Sequence, residues 1–417
     1  MRSFLVFSLS ARAALAALCL FAVTLAGCTT HEGVLLPMGQ TVPGASTVNM
    51  LVATTRAPSP NPGVLFSGQR GSGVSVDNIV VSIPPDQNRK IGEVAWPEHV
   101  PGDPAKDFTV VSAERVDVEG AQAWYRSVAG RHRRVLIFVH GFNNRYEESV
   151  FRFAQIVHDS GTDAAPILFT WPSGASVFDY NYDRESANYS RGALEQLLTL
   201  AAADPNVDDV TVMAHSMGSW LTMEALRQLA IRQGKVPAKI QNVILASPDL
   251  DVDVFKKQLE EIDTHHLKIT LFISRDDRAL ALSRRIAGGV DRLGAIDPTQ
   301  EPYRTELETA GITVLDLSAL RAGDRLNHGK FAASPAVVRL IGQRLIAGQK
   351  VTDADVGLGE RIGAATLGTA QTVGSAAGAV ATLPIAVFVP GARKGLQNQV
   401  ESIGRNLGGT LQTAVGQ

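Results

Sequence analysis

The sequence predicts an α/β fold, a mostly parallel central sheet flanked by helices, preceded by a β-rich lead-in. Two observations carry this. After Arg134, short apolar runs ("VLIFVHG", "PILFTWPS", "VTVMAHS", "NVILASPD", "KITLFISRDD", "ITVLDLS") recur along the chain. Strands so continuously apolar are buried on both faces, as in parallel sheets. Between them lie stretches such as "RYEESVFRFAQIVHDSG" and "RGALEQLLTLAAAD", with the length and amphipathic spacing of crossover helices. In such sheets ligands bind at the C-terminal ends of the strands.

The elements follow in order. Arg2 precedes the apolar run "ALAALCLFAVTLAGC", which has the charged start, hydrophobic middle and small-residue end of a secretory signal over residues 1–27. Its end, "LAGC" at Leu25 to Cys28, resembles the lipobox of bacterial lipoproteins. That resemblance implies lipidation of Cys28, which becomes the new N-terminus. With Thr29 following the cysteine, it also implies sorting to the outer membrane, facing the periplasm. Residues 28–47 are rich in Gly, Pro, Thr and Ser and are expected to form a flexible tether.

The body is expected over residues 48–348. Its lead-in, 48–130, contains the β-rich runs "VNMLVATT", "NIVVSIP", "FTVVSAERV" and "AWYRSVA", separated by Pro and Gly clusters and read as antiparallel strands. A last helix near "SPAVVRLIGQRLI" closes the domain. The tail, 349–417, is Gly/Ala-rich, carries no charge between Arg361 and Arg393, and has Gly374 and Gly378 at small-xxx-small spacing. Contact of this tail with lipid is a separate expectation.

Composition excludes several classes of function. The 2 cysteines are Cys19, inside the leader, and Cys28, so the body forms no disulfide and no thiolate metal cluster. A formal net charge of −2, without a basic stripe interleaved with aromatics, gives no field for nucleic acid.

The chemistry centres on "VTVMAHSMGSWLTMEAL". Val210 to Met213 read as a buried strand, whereas Met217, Leu221, Ala225 and Leu229 define a helix face that ends near Gly234. Ser216 therefore sits where a strand turns directly into a helix, with small Ala214 and Gly218 two residues to either side. This is the pattern of a nucleophile elbow, with alanine at the usual first glycine. A helix N-cap serine would show the same residues.

Upstream, "VLIFVHGFNN" ends a buried strand at His140 and Gly141. The backbone N–H groups of Phe142 and Met217 are candidate donors to the oxyanion of an acyl-transfer reaction. A serine needs a base, and the expected chain order is Ser, acid, His. His265 and His266 precede their strand, His215 adjoins the serine, and His31, His99, His132, His140 and His158 come too early. His328, in "DRLNHGKF", remains. The candidate acids are Asp249, Asp251, Asp276 and Asp277; Asp277 is preferred, although it would equally cap the helix of "SRDDRALAL".

The set "VATTRAP", "FVHGFNN", "TWPSG", "YDRESANYS", "AHSMGS" and "SRDDRALALS" resembles an uncharacterised, lipase-like branch of the α/β-hydrolase superfamily, a domain of unknown function. The resemblance covers Val48 to Ala347. It implies a triad of Ser216, Asp277 and His328, and its Ser-x-x-Asp-x-Ala-Leu pattern selects Asp277 over Asp276. It gives no chemical step to the segments around Trp171 and Asp183; Tyr180, Tyr182 and Asp183 would line the pocket, or the aspartate would fix a loop.

The expected function is a membrane-tethered serine hydrolase, a carboxylesterase or lipase working through an acyl-enzyme. Its partners would be a small-molecule or lipid ester and the membrane reached through Cys28, with no cofactor, metal or nucleic acid. An envelope lipoprotein that uses the same scaffold for binding is the alternative.

Overall fold

The computed structural model describes residues 31–128, 133–262, 264–321, 323–346 and 386–388. The leader, Cys28, and the tail apart from 386–388 lie outside the described residues. The strands are β1 (Ser46–Pro58), β2 (Phe66–Ile83), β3 (Thr109–Arg115), β4 (Arg134–Val139), β5 (Ala164–Thr170), β6 (Asp209–His215), β7 (Ile240–Ala246), β8 (Lys268–Ile273), β9 (Thr313–Asp316) and β10 (Ala386–Phe388). They form one sheet in the order β10-β9-β8-β7-β6-β4-β5-β1-β2-β3. From β1 to β9 across the middle of the sheet, every neighbouring pair is parallel. The two margins are antiparallel: β1-β2-β3 on one side and β10 against β9 on the other.

Side-chain alternation divides the core into two. Val135, Ile137 and Val139 of β4 face a cluster with helices α3 (Tyr180–Ala203), α4 (Met217–Gln233) and α5 (Val252–Glu261). Leu136 and Phe138 face the opposite cluster, which holds Phe151 and Phe153 of α2 (Tyr146–Ser160) and Val337 and Ile341 near the C-terminal helix. Polar crossover faces and strands buried on both sides leave the sheet no solvated face here, which is why the sequence shows unbroken apolar runs.

Two expectations require correction. The run "AWYRSVA" is not a strand but part of helix α1 (Val118–Val128). Ala121, Trp124, Tyr125 and Val128 recur at helical spacing and pack against the core, and the Asp117 side chain accepts from the Gly120 N–H at 2.8 Å at the helix start. Within the segment expected to be a tether, Val34 and Leu35 are buried and residues 37–39 run beside β3, while most of the residues from 39 to 47 are exposed. Leu35 is fully buried, and the Met38 N–H donates to the Val110 carbonyl at 2.8 Å, because two apolar residues among the prolines and glycines find the open end of β3.

The sheet order places the loops after β4 and β6 side by side, with β5 and β7 running outward from them. That is a topological switch point, where the C-terminal strand ends leave a crevice.

Candidate active site

Ser216 occupies the turn between β6 and α4 with φ 52° and ψ −125°, a left-handed conformation that a non-glycine residue adopts only when its surroundings hold it there. Its N–H donates to the Ala246 carbonyl at 3.0 Å, and its carbonyl accepts from the N–H groups of Ser219 and Asp249. Its side chain makes no capping hydrogen bond to α4, so the helix-cap reading does not describe it. The turn needs glycine where chains meet. A Cβ on Gly218 would stand 2.4 Å from the His140 carbonyl oxygen, and one on Gly141 would stand 2.8 Å from the Ser216 Cβ. Ala214 lies inside β6, where its methyl group is buried in the core, so the elbow tolerates it.

His328 and Asp277 meet from two loops. Asp277 follows β8 as the N-cap of α6 (Arg278–Ile286), and its Oδ1 accepts from the Leu280 N–H at 2.9 Å. Its Oδ2 lies 2.6 Å from His328 Nδ1. The capping and charge-pairing alternatives are therefore both realised, one on each oxygen. Burial disfavours charge on His328, but the Asp277 hydrogen bond and the charges of Asp277, Asp249 and Asp324 overcome it and raise the imidazole pKa. Asp276 turns the other way: it binds the buried Lys330 ammonium at 2.7 and 2.9 Å and accepts from Asn327. It thus ties the histidine loop to the acid loop without touching His328. The Asp324 carboxylate completes the loop by accepting from the His328 N–H at 3.0 Å.

His215 packs its ring on His328, with centroids 4.6 Å apart, and on Phe331. Its Nε2 faces the His328 carbonyl at 3.3 Å and must donate, which fixes the tautomer. Burial and the neighbouring His328 hold it well below the usual histidine range, so it is a neutral wall.

The loop after β4 is fastened from below by a buried polar network. Asp183 accepts from the N–H groups of Asn143, at 3.2 Å, and Gly174, at 2.8 Å, and from the Ser173 hydroxyl, which in turn accepts from the Asn144 N–H. Burial raises the Asp183 carboxyl pKa against these bonds. Fully buried Arg56 reaches the same loop, donating to the Asn144 carbonyl at 2.8 Å and to Thr170 Oγ1 at 2.8 Å. His140 Nδ1 must donate to the Gly141 carbonyl, leaving Nε2 to accept from Trp171 N–H at 3.0 Å. Burial and the Arg56 charge push its pKa down to about 3, so it stays neutral.

A family model described as "Alpha/beta hydrolase of unknown function (DUF900)" matches residues 119–344. The chain belongs to this family of α/β-hydrolases. An uncharacterized protein of Nostoc sp. is 37% identical over 76 residues, a match spanning 18% of this chain and 20% of that protein. Among solved structures, a predicted CIB-like hydrolase of Thermoplasma acidophilum is 15% identical, covering 56% of this chain and 91% of its own, with a TM-score of 0.32. An esterase of Pyrobaculum calidifontis is 10% identical, covering 74% and 86%, with a TM-score of 0.30.

In this α/β-hydrolase a cavity of about 340 Å³ opens over the elbow. Ser216, His328, His215 and Phe142 line it, as does Tyr180; Tyr182 instead donates to the Gly68 carbonyl. Met217 begins α4, where the first N–H groups have no partner within the helix. Asp249, one of the acids considered, sits in the cavity wall. It accepts from Ser283 at 2.5 Å and Tyr180 at 3.1 Å and pairs with buried Arg292 at 3.4 Å. Asp251 caps α5.

The sequence offered Asp183 as a loop-fixing residue and Tyr180 as a pocket residue, but not the partners that complete their clusters, Arg56 and His140 for the first and Asp249, Ser283 and Arg292 for the second. For the first, the signal was present: "VATTRAP", "TWPSG" and "YDRESANYS" are the segments that meet beneath the loop. No group of three or more His, Cys, Asp or Glu that could hold a metal occurs among the described residues, nor does any helix long and apolar enough to cross a membrane.

Proposed function

We propose that the chain is a serine hydrolase acting on carboxylic esters through an acyl-enzyme. The observation that carries this is the hydrogen-bonded Asp277–His328 pair lining, through His328, the same cavity as a strained, uncapped Ser216. Ser216 Oγ attacks the ester carbonyl carbon while its proton passes to His328 Nε2, with Asp277 orienting the ring and stabilising the imidazolium. The tetrahedral oxyanion accepts from the N–H groups of Phe142 and Met217, helped by the positive end of α4. Collapse expels the alcohol, which takes the proton from His328. Water, deprotonated by His328, then attacks the acyl-enzyme, releasing the acid and restoring Ser216.

The lipobox supports a working place at the membrane, with Cys28 carrying the lipid anchor and the body on the periplasmic face of the outer membrane. Radiolabelled fatty acid incorporated by the wild type and not by Cys28→Ser tests that placement.

The activity is tested by labelling folded protein with a fluorophosphonate probe. Labelling is expected in the wild type and absent in Ser216→Ala and His328→Ala. A folded wild type that takes no label overturns the hydrolase reading and favours the scaffold as a binding lipoprotein.

A further inference from the structure

The cavity mouth carries an apolar rim that nothing in the chemistry above uses. Val177, Leu282, Ile286 and Leu326 are 49–59% exposed yet line the cavity, and neighbouring Phe178 is 93% exposed. They come from three places: the 3₁₀ turn Val177–Asp179, the outer face of α6, and the loop before His328. The rim is not a loose collection, since the Leu326 carbonyl accepts from the Arg278 N–H at 2.9 Å and fixes the histidine loop to α6.

The charge pattern selects among occupants. Along α6, "RALALSRRI", Arg278 and Arg285 flank Leu282 at four and three residues, on one side of the helix, and the helix contains no acid. Arg278 and Arg285 pair with no carboxylate among the described residues. Of the nearby carboxylates, Asp276 is engaged by Lys330 and Asp324 by the N–H groups of Leu326 and His328, while Asp179 closes the 3₁₀ turn beside Phe178. An apolar rim bordered by arginines that have no carboxylate partner suits the headgroup boundary of an anionic lipid layer, where guanidinium groups meet phosphate and the apolar groups enter the acyl region.

We infer that this rim docks the hydrolase on an anionic lipid surface, so that its substrate is an acyl ester drawn from that surface into the cavity. This rests on the serine hydrolase reading.

The experiment uses the full chain carrying Cys28→Ser, so that no acyl anchor contributes, and compares it with the same chain carrying Phe178→Ser and Arg285→Gln. Neither residue lines the cavity. Two readouts are taken: hydrolysis of p-nitrophenyl acetate in solution, and hydrolysis of p-nitrophenyl palmitate in vesicles of phosphatidylglycerol and phosphatidylcholine. The expected result is an unchanged rate on the soluble ester and a loss of roughly tenfold or more on the vesicle-borne one, the size expected for withdrawing one phenyl ring from an apolar environment. The loss should shrink on pure phosphatidylcholine.

Equal rates of the two chains on vesicles, or an equal loss on both substrates, would overturn the inference. So would a wild-type dimer that the substitutions dissociate while vesicle co-sedimentation is unchanged. If the wild type hydrolyses neither ester while its co-sedimentation depends on Phe178 and Arg285, the docking surface stands and the hydrolase reading falls.

Discussion

Asp277 Oδ2 and His328 Nδ1 lie 2.6 Å apart across 51 positions of sequence, while the other Asp277 oxygen caps α6. The two tasks separate by substitution. Asp277→Asn keeps an acceptor for the helix but loses the charge, so the cap should persist while kcat falls by about 10⁴-fold, as for a misoriented imidazole. Asp277→Ala should add about 1 kcal/mol of lost capping. Thermal unfolding and ester kinetics of the pair check this; an Asn variant of near wild-type kcat would remove Asp277 from the role of orienting His328.

The pH profile follows from the direction of the His328 shift. Its pKa lies above 6.5, and the base must be neutral, so kcat/KM should rise with pH through a midpoint above that value. In Asp277→Asn, burial is less opposed and the residual activity should have its midpoint at lower pH. The stability term has the matching sign. Because the folded pKa is raised, the pair's contribution is fully present below about 6.5 and declines as pH rises through the folded value. Rate profiles and melting temperatures between pH 5 and 9 provide both tests.

Asp183 touches no reacting atom, and its effect should be felt through the Asn143–Asn144 loop. In Asp183→Asn one amide hydrogen pair faces N–H donors, so the loop that presents Phe142 should loosen. A fall in kcat of roughly 10²-fold, the scale of losing an oxyanion donor, is expected with KM changed far less. An equal rise in KM with constant kcat would instead point to a binding role.

Asp276→Ala removes the carboxylate from the buried Lys330 ammonium, which then keeps only the carbonyls of Leu317 and Ser318. Destabilisation of about 1–3 kcal/mol is expected from the stranded donor. The double variant Asp276→Ala, Lys330→Met should recover part of it, since the unpaired charge is then gone. Urea unfolding of the three chains measures the recovery; none would mean that Asp276 acts mainly through Asn327.

Gly218→Ala places a methyl group 2.4 Å from the His140 carbonyl oxygen, and backbone, not a flexible side chain, is what must move. A loss of about 1–3 kcal/mol is expected, together with slowed fluorophosphonate labelling as the elbow shifts. Ala214→Gly, inside the strand, should by contrast leave labelling near the wild-type rate.

The parallel sheet, the strand-to-helix turn at Ser216 and the choice of His328 as the candidate base were legible in the sequence. Each rests on local pattern: unbroken apolar runs, small residues two to either side of a serine, and a single histidine following Asp276 and Asp277. Periodicity failed where a short stretch fits two periods, and "AWYRSVA" became a helix because Trp124 and Tyr125 share one face that the core covers. The tertiary structure alone decided how neighbouring side chains divide their work. Asp276 and Asp277 are indistinguishable by spacing, and only the approach of the Asp324–Lys330 loop sends one to Lys330 and the other to His328. Likewise Arg56, Thr170, Ser173 and Asp183 lie in three separate segments, and it is the adjacency of β1, β5 and β4 in the sheet that gathers them beneath the loop. Hydrogen bonds of that kind depend on distances between elements, which no linear pattern encodes.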